Sequence, residues 1–327
     1  MIELVPLSSA LVNDAAKLLS ATWHEPHPTG CRAVVSDVAV AEQRIEASLA
    51  NPSVAAVHNG RLIGYLAAPP PRPPGQAVGI KAAMHASKPE QRRDIYRRLY
   101  AQLAGDLTKI GGFTHTIAVN CSDRTTVDTW FELGFGIDQV RGVKSLRRLA
   151  GATKGSTDIH VREARADDLD AMTDLAIEVT RFHAESPMLR PALSDHSFTR
   201  DQFVKAMESD RSLVVVADLG HRLGGFFQVN PDSHFVDTAT IGIAGVASGD
   251  RHQGIGTAIV DFALDWANSS GYRFCAVEWT SPNLTGDRFW RGRGFEPLQY
   301  KLTRRIDPRV AWAHSGISYD HIRPLDL

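Results

Sequence analysis

Residues 241–266 of this 327-residue sequence read IGIAGVASGDRHQGIGTAIVDFALDW. The apolar run that ends at Val246 predicts a buried β-strand. Beyond a glycine-rich loop, apolar residues recur with the spacing of one helix face at Ile255, Ala258, Ile259, Phe262 and Trp266. The stretch therefore predicts a strand, a loop and a helix in direct succession.

The loop in front of this helix has the pattern Arg251-x-x-Gly254-x-Gly256. Glycine lets the backbone come close to a ligand and adopt conformations that a Cβ atom disfavours. The first N–H groups of a helix have no partner within it, and the helix dipole attracts anions to them. Loop and helix together predict a site for a pyrophosphate, to which the Thr257 hydroxyl can donate.

Other glycine-rich motifs fit less well. A dinucleotide-binding loop has Gly-x-Gly-x-x-Gly with an acidic residue about 20 positions later, and an ATP-binding loop has Gly-Lys-Ser or Gly-Lys-Thr. Neither pattern is present in this stretch. An isolated Gly-x-Gly is more often a turn without a ligand. Whether this loop binds one therefore has to be judged from the surrounding sequence.

The surroundings resemble the GNAT superfamily of acyl-CoA-dependent N-acyltransferases. The resemblance is specific over residues 238–300 and weaker over the rest of the second half. The features that carry it are the strand ending at Val246, Arg251-x-x-Gly254-x-Gly256, the amphipathic helix, a strand at 274–279, Asn283-x-x-Gly286-x-x-Phe289-Trp290 and Gly294-Phe295.

The resemblance implies that acetyl-CoA is the cosubstrate and that no metal takes part. In this family the loop amides hold the CoA pyrophosphate, while the end of the strand and an asparagine bond the pantetheine arm. The sheet opens between its two central strands, here 238–246 and 274–279, and the thioester enters the gap. The residues that inherit these binding roles are Val246, Arg251, His252, Gln253, Gly254, Ile255, Gly256, Thr257 and Asn283.

The sequence departs from the family at the general acid. A tyrosine four residues before the Gly-Phe pair commonly protonates the leaving thiolate, and Trp290 occupies that position. An indole N–H is not a usable acid. Tyr300 is one candidate to replace it, and departure of the thiolate through water is the other possibility.

Two residues are candidates for the base that accepts the amine proton. Glu278 lies on a strand that lines the gap, although a strand-edge carboxylate paired with an arginine explains it equally well. His183 lies in the helix–loop region that covers the acceptor pocket in this family; packing or capping explains it as well as a role as base. His234 and Asp237 precede the central strand and either reach the acceptor or lie in an exposed loop.

The sequence contains an internal repeat. Arg61–Leu66 recurs as Arg222–Phe227, Gly134-Phe135 recurs as Gly294-Phe295, and His24 corresponds to His183. An offset of about 160 residues is too long for a solenoid and predicts two similar domains. We expect a degenerate GNAT-like domain at 1–149, a linker at 150–158, an acetyl-CoA-binding domain at 159–305 and a C-terminal extension at 306–327.

Each repeat alternates strands with helices. The predicted fold class is therefore α/β (α+β), with two tandem GNAT folds that each have a mixed, splayed central sheet flanked by helices. In the first repeat, Gln91, Asp94 and Tyr96 stand opposite Arg251, Gly254 and Gly256. A carboxylate and two large side chains in place of the glycines predict that this repeat does not bind acyl-CoA.

The composition and the N-terminal sequence limit the binding partners and the cellular compartment that we expect. Lys plus Arg (36) nearly balances Asp plus Glu (37), for a formal charge of −1, so the global basic excess of a nucleic-acid or membrane binder is lacking. The N-terminus lacks the pattern of a signal peptide. Cys31, Cys121 and Cys275 are too few and too widely spaced for a disulfide framework or a metal site. We expect a cytoplasmic monomer or homodimer without a nucleic-acid or membrane partner.

The predicted function is acetyl-CoA-dependent N-acetyltransfer (EC 2.3.1 type) to a primary amine of a small molecule or protein, at one site in the second half. A catalytically silent acyl-CoA-binding or scaffold protein is an alternative, because the tyrosine is missing. A tandem enzyme resembling mycothiol synthase, or the aminoacyl-tRNA-dependent peptidoglycan transferases, is another. The last would need a basic tRNA-binding surface, against which the net charge argues mildly.

Overall fold

The computed structural model describes residues 1–24, 27–71, 77–146, 159–190 and 195–313. The chain forms two compact units. The first unit contains residues 1–27, 32–140 and the chain from 297 onward, and the second contains 28–31 and 141–296. The predicted linker at 150–158 and the last part of the predicted extension, 314–327, lie outside the described residues.

In its described residues the first repeat has four α-helices and seven strands. The helices are α1 (Val12–Thr22), α2 (Val38–Glu46), α3 (Arg92–Lys109) and α4 (Arg124–Glu132). The strands are β1 (Ile2–Val5), β2 (Ser53–His58), β3 (Arg61–Ala67), β4 (Ala77–Ile80), β5 (His85–Ser87), β6 (Thr114–Asn120) and β7 (Gly136–Ser145). One sheet of the first unit has the order β1-β2-β3-β5, and β4 pairs with β6 in parallel.

The second repeat follows the same plan. Its helices are α5 (Leu169–Ala184), α6 (His196–Met207), α7 (Ile255–Ser269) and α8 (Leu284–Gly292). Its strands are β8 (His160–Glu163), β9 (Leu213–Asp218), β10 (Leu223–Pro231), β11 (Thr238–Val246), β12 (Phe274–Thr280) and β13 (Glu296–Arg305). In the second unit the strand order is β12-β11-β10-β9-β8.

The internal repeat is confirmed by the bounds of the elements. β6 (Thr114–Asn120) and β12 (Phe274–Thr280) begin and end 160 residues apart, and the same offset relates α4 to α8 and β7 to β13. The glycines with positive φ recur in the same way, Gly134 with Gly294 for example. The mixed α/β architecture expected for both halves is present.

The last strand of each repeat belongs to the other unit. β13 pairs antiparallel with β6 of the first unit, from Gln299 opposite Asn120 to Arg305 opposite Thr114, and buries Leu302 in that unit's core. From Arg141 onward β7 belongs to the second unit, where Leu146 N–H donates to the Arg273 carbonyl at 3.0 Å. The units therefore differ from the predicted domains at 1–149 and 159–305, since repeated strands with similar patterns can satisfy either sheet.

The central strands of the second unit separate as predicted. β11 and β12 pair in parallel from Thr238–Phe274 to Ile241–Val277, yet β11 continues to Val246 and β12 to Thr280. The register between β10 and β11 also shifts by one residue between the pairs Phe227–Ala244 and Val229–Ile241. A bulge of this kind bends a strand, and it accompanies the gap between β11 and β12.

Helix α7 begins at Ile255, directly after the glycine-rich loop. Its buried residues are Ile255, Ile259, Val260, Ala263, Leu264 and Ala267. Three residues of the predicted apolar stripe, Ala258, Phe262 and Trp266, are only half-buried, so the buried face is rotated by about one residue from the predicted stripe. Among the described residues no helix is both long and apolar enough to cross a bilayer.

Candidate active site

A cavity of about 470 Å³ lies in the second unit at the end of β11, beyond its pairing with β12. Its volume lies in the range of small-ligand pockets. Helix α5 lines one side, β10 and β11 line the floor, and the glycine-rich loop with the starts of α7 and α8 lines the rest. The lining residues are Val179, Phe182, His183, Phe227, Ala244, Gly245, Val246, Asp250, Arg251, His252, Gly254, Gly256, Thr257, Asn283, Thr285, Gly286, Phe289 and Trp290.

The N-terminus of α7 faces this cavity. Gly254 is the N-cap residue with φ 86°, a left-handed conformation that favours glycine, and among the residues that the structure describes no side chain hydrogen-bonds the first turn. His252 in the same loop has φ 66°. Because the first N–H groups of a helix lack partners within it, this end of the cavity presents donors and a positive helix pole.

The ion pair between Arg222 and Asp250 holds the glycine-rich loop in place. Asp250 is buried, and its carboxylate receives two hydrogen bonds from Arg222, one of them at 2.7 Å from Nη2 to Oδ1. Hydrogen bonding to Arg222 lowers the pKa of the Asp250 carboxyl. Asp250 therefore remains charged and paired at neutral pH and adds no free negative charge to the anion site.

Gly256 keeps the cavity open at the first turn of α7. A Cβ atom at this position would lie 3.4 Å from the Phe289 ring and 3.6 Å from Val246 Cγ2. These are close van der Waals distances, so alanine would just fit, whereas a longer side chain would occupy the space between α7, α8 and β11.

Arg251 and His183 both line the cavity and lie near each other. The Arg251 guanidinium stacks on the Phe182 ring at 4.1 Å, and Nε approaches the Val246 carbonyl at 3.5 Å. Burial, with Arg190 and Arg251 nearby, lowers the pKa of His183. His183 is therefore neutral at pH 7, a state in which an imidazole nitrogen can accept a proton.

Asn283 is held at the cavity by the start of α8. Its Oδ1 accepts the Gly286 N–H at 2.9 Å, and a Cβ on residue 286 would lie only 2.8 Å from Asn283 Nδ2. The glycine at this motif position therefore makes room for the asparagine side chain. The cap leaves the Nδ2 donor without a hydrogen bond among the described residues.

The structure brings most of the predicted site together. Val246, Arg251, His252, Gly254, Gly256, Thr257, Asn283 and His183 all line the cavity. Gln253 and Ile255 do not: Gln253 Nε2 donates to the Gly249 carbonyl at 3.1 Å, and the Ile255 side chain is buried in the core. Both can serve a ligand only through their backbone N–H groups.

Two predicted catalytic residues do not line the cavity. Tyr300 is on the part of β13 that belongs to the first unit, where it packs against that unit's core. Glu278 does not line the cavity and accepts a hydrogen bond from Arg141 Nη1 at 2.8 Å, which agrees with the arginine-paired alternative. Asp237 forms an ion pair with Arg273 at 3.7 Å and lines a separate cavity of about 290 Å³.

The residue in the expected tyrosine position, Trp290, lines the cavity and is buried among aromatic side chains. Its ring lies 5.9 Å from Phe227, 5.0 Å from Phe289 and 5.4 Å from Phe295 between centroids. Trp290 is therefore both a core residue and part of the wall. Sequence reasoning missed Val179, Phe182 and Phe227, because apolar residues on α5 and β10 carry no motif.

Side chains fill the corresponding place in the first unit. Tyr96, 160 residues before Gly256, is fully buried, and its hydroxyl donates to His85 Nδ1 at 2.9 Å. Asp123, 160 residues before Asn283, also caps a helix and is paired with Arg92. Asp94 differs from the expectation, because it is exposed and forms an ion pair with Arg98 at 2.8 Å.

Comparison with known families agrees with the geometry of the second unit. Residues 175–295 match the model of the acetyltransferase (GNAT) family. The match begins within α5 and ends after α8, so it spans the elements that line the cavity. No curated protein matches the chain.

Solved structures share the fold over nearly the whole chain. A GCN5-related N-acetyltransferase from Sphaerobacter thermophilus is 16% identical with a TM-score of 0.66, over 94% of this chain and 96% of that one. A tandem GNAT protein from the clavulanic acid biosynthesis pathway is 17% identical with a TM-score of 0.57, over 93% and 98%. A GNAT-family acetyltransferase from Colwellia psychrerythraea is 12% identical with a TM-score of 0.55, over 94% and 100%. At these identities the likeness is one of fold, and the fold is that of tandem GNAT proteins.

Proposed function

We propose that this chain, in which residues 175–295 form a GNAT acetyltransferase domain, transfers an acetyl group from acetyl-CoA to a primary amine at one active site in the second unit. GNAT proteins use acetyl-CoA as the acetyl donor. The amine belongs to a small molecule or a peptide, and the enzyme works as a cytoplasmic monomer or homodimer without nucleic acid, membrane or metal.

One observation carries this proposal: the N-terminus of α7, to which no side chain hydrogen-bonds among the described residues, opens into a cavity bordered by β11 beyond its pairing with β12. The N–H groups after Gly254, with Arg251, bind the pyrophosphate. Val246 and Asn283 bind the pantetheine arm along the cavity, so that the thioester reaches the gap. Holding the thioester next to an amine supplies a large part of the acceleration in a transfer of this kind.

The chain's own residues account for the proton steps. An acceptor ammonium gives one proton to Glu278, directly or through water, with neutral His183 as the second candidate base. The amine nitrogen then attacks the thioester carbonyl, the C–S bond breaks, and the nitrogen's remaining extra proton passes to water. Because Trp290 supplies no acid and Tyr300 does not line the cavity, the leaving thiolate takes its proton from water.

The first unit is proposed not to bind acetyl-CoA. Tyr96 fills the place that Gly256 leaves open, and the Arg92–Asp123 pair occupies the place of Asn283. Opening this space would break the Tyr96–His85 hydrogen bond within a buried core, and an unpaired buried polar group costs about 1–3 kcal/mol. One site per chain is therefore expected.

Isothermal titration with acetyl-CoA tests the site and its number. We expect one site per chain, and Gly254→Asp should weaken binding more than 100-fold, because a carboxylate would face the pyrophosphate. Gly254→Asn is the matched control: asparagine also adopts positive φ but carries no charge, so it should bind more tightly than the aspartate variant. Two sites per chain, or unchanged affinity in Gly254→Asp, would overturn the proposal.

Trp290 favours a second candidate, a catalytically silent acyl-CoA-binding protein. Its indole replaces the acid that the reaction commonly uses, while the cavity remains lined for a ligand. This candidate predicts acetyl-CoA affinity without release of free thiol from acetyl-CoA in the presence of any primary amine. Amine-dependent thiol release, which Gly254→Asp abolishes, supports the transferase instead.

A further inference from the structure

A polar cluster on one face of the second unit has no role in binding acetyl-CoA. Asn230, Thr240 and Ala276 are paired across β10, β11 and β12, so they share this face. Gly242 and Glu278, each two residues further along its strand, face the same side because side chains alternate along a strand. Gln228 joins them through its Nε2, which donates to Asn230 Oδ1 at 3.3 Å.

Gly242 leaves space in the middle of this face, because it has no side chain. The residue is solvent-exposed although it lies on a central strand. A Cβ atom there would lie 3.3 Å from Asn230 Nδ2, so a side chain at 242 would fill the space beside Asn230. We name Gln228, Asn230, Glu278 and Arg141 the acceptor cluster, and its depression is the space over the exposed Gly242 backbone, which carries no side chain.

The cluster offers a hydrogen-bond acceptor that nothing in the described structure uses. Gln228 is buried, 7% exposed, and its Oε1 has no hydrogen-bond partner among the described residues. A buried polar atom is normally paired because leaving it unpaired costs free energy. An N–H donor on a bound ligand would satisfy it.

The cluster also carries one surplus negative charge. Arg141 binds both Asp232 and Glu278. The Asp232 side chain is fully buried and also accepts the N–H groups of His234 and Phe235, so Asp232 balances the arginine charge. The Glu278 side chain is 46% exposed and remains the uncompensated carboxylate.

The depression lies next to the acetyl-CoA cavity. Glu278 is the first residue of β12 beyond its last pair with β11, and Gly242 is the first residue of β11 beyond it. Gly245, which lines the cavity, pairs with Phe226, two residues before Gln228 on β10. Because side chains alternate along a strand, the depression and this edge of the cavity lie on the same face of the sheet.

We infer that the acceptor cluster binds the substrate amine, and that its chemistry selects a primary alkylammonium without a carboxylate on the same carbon. One N–H of the ammonium group binds Glu278 and another binds Gln228 Oε1. An α-carboxylate would approach Glu278 with like charge, and Nη1 and Nη2 of Arg141 already bind carboxylates. Arg141, supplied by the last strand of the first repeat, acts as a positioning residue that holds Glu278 at the depression. The inference rests on the proposed transferase function.

Calorimetry of the full chain with CoA bound tests the ligand class. The probes are 1-aminopentane and norleucine, which carries a carboxylate beside the same ammonium group. We expect 1-aminopentane to bind at least tenfold more tightly than norleucine. Glu278→Gln and Gly242→Val should each weaken its binding at least tenfold, and the exposed Glu163→Gln on β8 should not. Equal binding of the two probes, no binding of 1-aminopentane, or unchanged affinity in Glu278→Gln would overturn the inference.

Acetyl-CoA binding distinguishes a failure of the acceptor assignment from a failure of the proposed function. Glu278→Gln and Gly242→Val should keep the wild-type affinity for acetyl-CoA, since neither residue lines that cavity. If the wild type binds acetyl-CoA but not 1-aminopentane, only the acceptor assignment fails. If the wild type does not bind acetyl-CoA, the proposed function fails.

The positioning role of Arg141 has its own readout. Arg141→Lys should raise KM for 1-aminopentane several-fold with kcat nearly unchanged, because lysine keeps the charge but loses the two-pronged contact. Glu278→Gln should lower kcat as well as raise KM, since it removes the proposed base. Equal effects of both variants on kcat would contradict a positioning role.

Discussion

At the scale of single residues, one side chain distinguishes the two repeats at the point where an acyl-CoA would pass. Gly256 leaves space beside Phe289 and Val246, whereas Tyr96 fills the corresponding space and binds His85. The second nitrogen of His85, Nε2, donates to the Ala118 carbonyl at 2.8 Å. The first repeat has thus replaced a potential ligand cavity with a buried hydrogen-bonded core.

That core makes the first unit sensitive to acid. Burial lowers the pKa of His85 to about 4, and burial also lowers the pKa of His115, paired with Tyr100, to about 4. Both histidines fold in the neutral form, while the unfolded chain titrates near pH 6.5. Their contribution is complete above pH 6.5 and is lost as the pH falls towards 4. The free energy of unfolding should fall by about 3 kcal/mol per histidine over this interval.

Urea unfolding at pH 7, 5.5 and 4 measures this loss. His85→Gln should be less stable at pH 7, because it loses the imidazole packing, but its stability should fall less steeply with acid. His196→Gln, which replaces an exposed histidine, is the matched control for the loss of an imidazole. Identical slopes for wild type and His85→Gln would contradict the assignment.

At the scale of elements, the last strands decide which residues meet. Because β7 enters the second unit from Arg141 onward, an arginine encoded by the first repeat reaches a buried aspartate and Glu278 of the second. The side chain of Arg141 is 9% exposed and that of Asp232 is fully buried. Partners buried to this degree depend on each other strongly, since either one alone is an uncompensated charge.

Removing the arginine alone should therefore destabilise the second unit. Arg141→Met leaves Asp232 charged and buried, which should cost about 3–5 kcal/mol of unfolding free energy. The double variant Arg141→Met/Asp232→Asn should recover much of this, because asparagine Oδ1 still accepts the His234 and Phe235 N–H groups. Thermal and urea unfolding check both variants, and additive losses in the double variant would argue against the pair.

At the scale of the whole molecule, the two repeats are not independent domains. β13 completes the first unit beside β6, and the end of β7 completes the second. A chain cut in the predicted linker would leave each half with a strand that belongs to the other unit. Unpaired strands and an incomplete sheet cannot satisfy their backbone hydrogen bonds.

Fragment complementation tests this arrangement. Residues 1–150 and 151–327, expressed separately, should lack a cooperative unfolding transition or should aggregate. Expressed together, they should form a 1:1 complex that binds acetyl-CoA, as measured by size-exclusion chromatography and calorimetry. A monomeric, cooperatively folded 151–327 fragment would refute the exchange of the last strands.

Several features could be predicted from the sequence because they depend on local spacing. The strand–loop–helix from 241 to 266, the cap at Asn283 and the 160-residue repeat are set by residues close together in the chain or by direct repetition. The stripe on α7 was placed about one residue from the buried face, since Ala258, Phe262 and Trp266 are half-buried. Helical spacing defines a face only to within the width of a side chain.

Only the tertiary structure decided the non-local partners. β7 and β13 have the same alternation of side chains, so either strand fits the edge of either sheet. The sequence does not specify which sheet each strand joins. Tyr300, a candidate acid, pairs with Val119 of the first unit, whereas Arg141, which no motif marks, binds Asp232 and Glu278. Local periodicity determines the elements, but the choice among equivalent strand edges depends on long-range packing.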